Sequence, residues 1–176
     1  RYRILGTLTL SFIDPLDNPL ITAPTHLRLL DATAIVFRYL GLLVVPAHLS
    51  ADYSYAALPI SAEFISPQLL LVAVGIAALA AILYTSFHRL PVVFWGLCWI
   101  LLALAPAANI ILPIGTIMGE RLLYLPAVGF CTGMAALLLR LPRRAWLFAL
   151  LLIALFAMRS VVRSADWRDN YALFRA

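Results

Sequence analysis

Four apolar blocks of near-bilayer length constrain this sequence more than any other feature. They cover residues 68–87, 91–105, 122–139 and 145–158, and each is bounded by proline, arginine or both. A membrane-spanning helix needs about 20 predominantly apolar residues. Apolar residues make up 64% of the chain and charged residues only 12%, whereas a water-soluble domain is about half apolar and a quarter charged. The sequence therefore predicts an all-α, polytopic transmembrane helical bundle.

A fifth apolar block, residues 32–46, is shorter and carries Arg38 at its centre. Two interpretations remain open. The block spans the membrane and Arg38 faces a partner or a wet cavity, or the block lies partly in the interface and Arg38 reaches the lipid headgroups. We therefore expect four to five spans.

The basic residues are thirteen arginines and no lysine, and the formal net charge is +5. Most of them lie at the edges of apolar blocks, as in membrane proteins, so we expect lipid rather than nucleic acid as the partner. The positive-inside rule predicts that the loops with Arg89 and with residues 140–144 are cytoplasmic. The connections 49–67 and 106–120 are then external. If residues 32–46 span, residues 1–26 are cytoplasmic.

The first polar cluster includes Asp17, Asn18 and Pro19. Asp and Asn before proline favour turns, so we interpret this motif as a structural loop. Two carboxyl groups three residues apart (Asp14 and Asp17) supply too few oxygen ligands for a cation, and we expect no metal site.

The second cluster contains Asp52, Tyr53 and Tyr55 in the predicted external connection. A carboxyl group between two tyrosines, beside serine hydroxyls, suits a sugar ring. A belt of interfacial tyrosines next to a solvated aspartate explains the pattern equally well.

The third cluster is the adjacent pair Glu120 and Arg121 at the start of an apolar block. A carboxylate near a helix N-terminus complements the helix dipole. The guanidinium group matches the oxygens of a phosphate. A structural Glu–Arg pair and headgroup anchoring are the alternatives.

These clusters resemble the transmembrane and tetratricopeptide-repeat O-mannosyltransferases, the cadherin-targeting family, and its bacterial relatives. The resemblance lies in residues 17–19, 50–60 and 109–130, and its most specific element is GERLLYLP at residues 119–126. Residues 166–175 are similar to the segment before the first tetratricopeptide repeat. The resemblance therefore implies a membrane region over residues 1–163 and a lead-in to the repeats over residues 164–176.

The resemblance also implies a GT-C-like glycosyltransferase. Such an enzyme moves mannose from dolichyl or polyprenyl phosphate to Ser or Thr hydroxyls of an acceptor protein on the external or lumenal face. We expect no cofactor beyond the lipid-phosphate-linked sugar. The residues that we assign to donor or substrate binding are Arg121, Glu120, Asp52, Tyr53, Tyr55 and Arg38.

The catalytic carboxyl group of this family lies in an earlier external loop. The chain starts at Arg1 without methionine, so we expect a piece of a longer protein that is inactive by itself. Tyr53 stands where the family often has tryptophan, which favours a bacterial inner membrane over the endoplasmic reticulum. The alternative function is a non-catalytic membrane scaffold for the repeats.

Overall fold

The computed structural model describes residues 14–46, 53, 58, 65–142 and 146–165. These residues form α-helices and short 3-10 turns and contain no strand, which confirms the all-helical prediction. The helices are α1 (Thr25–Val44), α2 (Pro67–Arg89), α3 (Pro91–Leu104), α4 (Tyr124–Leu138) and α5 (Trp146–Ala165). The 3-10 turns are Pro19–Ile21, Ala105–Ala107 and Glu120–Leu123.

The helix boundaries follow the prolines and basic residues of the sequence. Pro67 and Pro91 begin α2 and α3, where a missing N–H group costs nothing. His88 and Arg89 lie in the last turn of α2, where positive charge complements the helix dipole. The predicted block 68–87 thus matches α2 closely, whereas α1 starts well before the predicted residue 32.

Two helices are long and apolar enough to cross a membrane, namely Pro67–Arg89 and the continuous helical segment Glu120–Leu138. Pro91–Ala107 and Trp146–Val162 are shorter apolar helices. Most of the large apolar side chains of α2 are exposed, as a lipid-facing surface requires. The count of four to five spans stays a prediction.

Helices α3 and α4 pack at backbone distance because three glycines line their contact. Gly96, Gly129 and Gly133 are buried there. A Cβ atom added at Gly129 would lie 2.5 Å from the carbonyl oxygen of Gly96. The spacing of Gly129 and Gly133 is the GxxxG pattern, in which small residues let two membrane helices approach closely.

Gly129→Ala is therefore expected to force α3 and α4 apart and to destabilise the protein by about 1–3 kcal/mol through overpacking. The matched control is Gly41→Ala in α1, where an added Cβ meets nothing within 4 Å. That change replaces a helical glycine in open space and should leave stability equal or slightly higher. Thermal unfolding in lipid or detergent measures both. Equal melting temperatures for the two variants would contradict the packing argument.

Helices α2, α3 and α4 run up and down, so the bundle has two ends. Leu90 alone joins α2 to α3, and the guanidinium group of Arg140 donates to the carbonyl oxygen of Arg89 at 3.2 Å. We call this the Arg89 end. The opposite end holds the start of α2, the end of α3 and the start of α4, and we call it the Glu120 end. The two predicted cytoplasmic arginine loops therefore share one end.

Helix α1 runs parallel to α2, starting at the Glu120 end. Asp31 bonds to Gln68 near the start of α2, and the ring of Phe37 lies against Gly75 one to two turns further along. Val44 is the last residue of α1 and lines an apolar cavity. The same cavity is lined by residues from the parts of the other helices nearest the Arg89 end, namely Ile82, Val93 and Leu137.

This direction corrects one prediction about sidedness. Residues 14–26 were expected on the opposite side from the 106–120 connection if α1 spans. In the structure Asp17 and Asn18 bond directly to that connection. The physical reason is the direction of α1: because α1 runs parallel to α2, the residues before α1 lie at the same end as the start of α2 and the loop after α3.

Candidate functional site

The predicted turn around Asn18 closes on a distant loop. The Asn18 side-chain amide donates to the Asn109 side-chain oxygen at 2.9 Å and to the Ile114 carbonyl at 2.7 Å. Its own oxygen accepts from the backbone N–H of Leu20 at 3.2 Å, inside the 3-10 turn that Pro19 begins. Asp17 contributes its carbonyl oxygen, which accepts from Ile117 at 3.2 Å. The structural interpretation of this motif is therefore supported by its contacts.

Asn109 is the centre of the loop that follows α3. It is fully buried and its φ is 56°, in the left-handed region that asparagine tolerates better than most residues. Its amide donates to the carbonyls of Thr116 at 3.2 Å and Ile117 at 3.1 Å, and its oxygen accepts from Ile114 N–H at 2.8 Å. No role was predicted for Asn109 from the sequence. A single asparagine just after an apolar helix is the signal that indicates a left-handed helix end.

Helix α1 fixes the end of the same loop. Gly119 N–H donates to the hydroxyl of Tyr39 at 2.8 Å, and Tyr39 is fully buried in the core. Thr116 donates its hydroxyl to the Met118 carbonyl at 2.9 Å. The backbone immediately before Glu120 is thus fixed by one hydrogen bond to α1 and by another within the loop.

The structure brings together two of the predicted clusters. The hydroxyl of Tyr53 donates to a carboxylate oxygen of Glu120 at 3.1 Å, across 67 residues of sequence. Tyr53 and Glu120 are both half-buried, whereas Arg121 is exposed. The guanidinium group of Arg121 therefore lies at the surface beside a carboxylate that is held by tyrosine.

The other predicted site residues are distributed differently. Asp52 and Tyr55 lie outside the described residues. Arg38 is exposed and lines a separate cavity between α1 and α2, together with Asp31 and Gln68. The sequence analysis missed Asp31 and Gln68 as a pair, although a polar residue inside an apolar helix is a functional signal in membrane proteins.

No group of three His, Cys, Asp or Glu side chains in the described part of the chain is arranged to hold a metal ion. The absence of a metal site stays a prediction. What the Glu120 end offers chemically is an exposed guanidinium group, a bound carboxylate and a tyrosine hydroxyl.

The comparisons with known proteins agree on one family. The family model described as Protein O-mannosyl-transferase TMTC, DUF1736 matches residues 9–80. Over the whole chain, the sequence is similar to Tmtc3 of Drosophila melanogaster, with 29% identity over 99% of this chain and 20% of the relative. It is also similar to TMTC4 of Homo sapiens, with 28% identity over 100% of this chain and 25% of the relative.

Residues 9–80 match the TMTC family model, and the whole chain is similar to TMTC proteins. TMTC3 of Mus musculus is a further relative, with 28% identity over 90% of this chain and 18% of its own length. All three relatives carry the name protein O-mannosyl-transferase. No solved structure matches the chain.

The family prediction is therefore confirmed, and the chain spans about a fifth to a quarter of the length of these TMTC proteins. The family model covers the Asp17–Pro19 turn, α1 and Gln68, and it ends before Glu120. The whole-chain similarity to the relatives extends over the Glu120–Arg121 loop as well.

Proposed function

We propose that this chain is the membrane part of a protein O-mannosyltransferase that uses a polyprenyl-phosphate mannose donor. The names of its TMTC relatives support mannosyl transfer to protein. The membrane-length apolar helices support a donor that is anchored in lipid. The acceptor is a Ser or Thr hydroxyl of a protein, on the external or lumenal side.

The contact between Tyr53 and Glu120 carries the proposal for this site. It joins two clusters that were identified separately in the sequence, and it leaves the neighbouring Arg121 exposed. When the sugar is transferred, negative charge grows on the departing phosphate, and a guanidinium group that donates two parallel hydrogen bonds stabilises that charge. We assign this role to Arg121, with Glu120 and Tyr53 as the residues that hold the loop in place.

The bundle also offers space for the lipid chain of the donor. An apolar cavity of about 280 Å³ lies between α1, α2, α3 and α4, and its lining includes Leu40, Leu97 and Phe130. Phe130 lies on α4, which follows Arg121 directly in the sequence. An isoprenoid chain in this cavity would exchange its contacts with water and lipid for contacts with protein. Its phosphate would point towards the loop that carries Arg121.

The proposed architecture is a GT-C-like bundle in which α2 to α5 cross the membrane. The Glu120 end is external or lumenal, and the Arg89 end with Arg140 is cytoplasmic. A carboxyl group from another part of the full-length protein acts as the general base on the acceptor hydroxyl. Residues 164–176 lead into tetratricopeptide repeats on the same face as the site.

The experiment is mannosyl transfer by the full-length protein in lipid nanodiscs, with radiolabelled polyprenyl-phosphate mannose and Ser/Thr acceptor peptides. We expect transfer by the full-length protein and none by residues 1–176 alone, since the general base is supplied from elsewhere. Turnover by residues 1–176 would contradict the missing base. A folded full-length protein that transfers nothing from any polyprenyl-phosphate sugar would favour the scaffold function instead.

A further inference from the structure

A second polar feature lies beside the Glu120 loop and takes no part in the site described so far. It is a cavity of about 390 Å³ between α1 and the start of α2. Asp31, Arg38 and Gln68 supply its polar groups, and Phe37, Leu71 and Ile117 contribute apolar surface. This size and this mixture of apolar walls and a few polar groups are typical of small-molecule sites.

The polar groups of this cavity are unusual for their surroundings. Asp31 is 3% exposed on a helix that is otherwise mostly apolar. The Gln68 amide donates to a carboxyl oxygen of Asp31 at 2.7 Å. Burying such groups is unfavourable unless they are hydrogen-bonded, and polar groups inside membrane bundles commonly mark a ligand or substrate path.

The cavity is connected to the loop that carries Arg121. Ile117 of that loop forms part of the cavity wall. Arg38, also in the wall, is followed by Tyr39, whose hydroxyl accepts from Gly119 just before Glu120. A lipid-linked ligand whose phosphate lies at Arg121 therefore has a neighbouring polar cavity on the α1 side of the loop.

We propose that this cavity binds the hexose ring of the donor, an inference that rests on the proposed function. Asp31 and Gln68 form hydrogen bonds with the ring hydroxyls, and Arg38 contacts the ring from the rim. The carboxyl group of Asp31 in the lining disfavours an anionic group beside it, so the phosphate stays outside, near Arg121. Carboxyl and amide groups both accept hydrogen bonds from hydroxyls, and the amide and the guanidinium group donate to them.

The test uses the full-length protein in lipid nanodiscs and two ligands, polyprenyl-phosphate mannose as substrate and sugar-free polyprenyl phosphate as inhibitor. Asp31→Asn keeps the shape of the side chain and its hydrogen bond from Gln68. An amide oxygen, however, is a weaker hydrogen-bond acceptor than a carboxylate oxygen. We expect this variant to raise the KM for the mannosyl donor about 10- to 100-fold, the loss of one hydrogen bond to a charged group. Inhibition by the sugar-free lipid should stay unchanged, because that ligand lacks the ring.

Arg38→Gln provides a second variant in case Asp31→Asn does not fold, because Arg38 is an exposed side chain. It should also raise the donor KM and leave inhibition by the sugar-free lipid unchanged. Asp14→Asn is the matched control, since Asp14 lies in an exposed turn outside the cavity, and its kinetics should equal those of the wild type.

Three outcomes overturn the inference. If the folded variants keep the wild-type donor KM, the cavity does not bind the ring although the proposed function stands. The same conclusion follows if the donor KM and the inhibition constant of the sugar-free lipid rise by the same factor. If the acceptor KM rises in place of the donor KM, the cavity does not take the donor sugar. If the wild-type protein binds neither lipid and transfers nothing, the proposed function fails as well, and that result is distinct from the first two.

Discussion

Arg121→Lys in the full-length protein is expected to lower turnover by about 30- to 1000-fold. The guanidinium group presents a planar pair of N–H donors to two phosphate oxygens, whereas an ammonium group supplies only a point charge. Losing an interaction that is strongest in the transition state costs about 2–4 kcal/mol. Because Arg121 is exposed, the melting temperature should not change. Turnover and thermal unfolding are measured on the same preparation.

Two further variants separate a phosphate role from a structural one. Arg140→Lys is the matched control, since Arg140 is also exposed but lies at the Arg89 end, and it should keep full activity. The double variant Glu120→Gln with Arg121→Gln tests whether the pair is structural. Since Glu120 accepts from Tyr53, we expect the double variant to stay as inactive as Arg121→Gln alone. A fully active Arg121→Lys protein, or rescue by the double variant, would remove Arg121 from the reaction.

Asn109→Ala is expected to destabilise the protein by about 3–5 kcal/mol, the largest stability loss that we predict. Its side chain forms four hydrogen bonds, with Asn18, Ile114, Thr116 and Ile117. Each contributes about 1 kcal/mol net, and buried partners that are left unpaired cost more. Alanine also tolerates the φ of 56° less well than asparagine does. Thermal unfolding in detergent and protease cleavage within residues 105–119 measure the effect.

Asn109→Gly separates the two contributions, because glycine adopts positive φ freely but has no side chain to bond. It should be less destabilised than Asn109→Ala and still far less stable than the wild type. A wild-type melting temperature for Asn109→Gly would show that the backbone conformation alone matters. Wild-type stability for both variants would contradict the role of Asn109 in holding the loop.

Local features of the sequence predicted the helices well. Residues 68–87 correspond to α2 because Pro67, His88 and Arg89 mark both ends of that helix. The start of the segment Glu120–Leu138 was also close to the predicted residue 122, since a charged pair interrupts the apolar sequence there. These helix boundaries were predictable because each is set by a few residues that are neighbours in the sequence.

The direction of α1 and the partners of the polar residues were not predictable from local sequence. Asn18 and Asn109 are 91 residues apart, and Asp31 and Gln68 are 37 apart, so these contacts arise only when the helices pack. The Glu120–Arg121 pair illustrates the same limit. The carboxylate of Glu120 accepts from Tyr53, a residue 67 positions away, and its adjacency to Arg121 does not predict that contact.

The parallel arrangement of α1 and α2 bears on how the crossings of this chain through a membrane would be counted. The chain lies at the Glu120 end at Asn18 and again at Tyr53 and Gln68. Asp17 and Asn18 are in direct contact with the loop that precedes Arg121. A hydropathy plot that scores α1 as one full crossing would place Asn18 on the opposite side from the loop that it contacts. The packing of the helices instead keeps the Asp17–Pro19 turn and the loop before Arg121 at one end of the bundle.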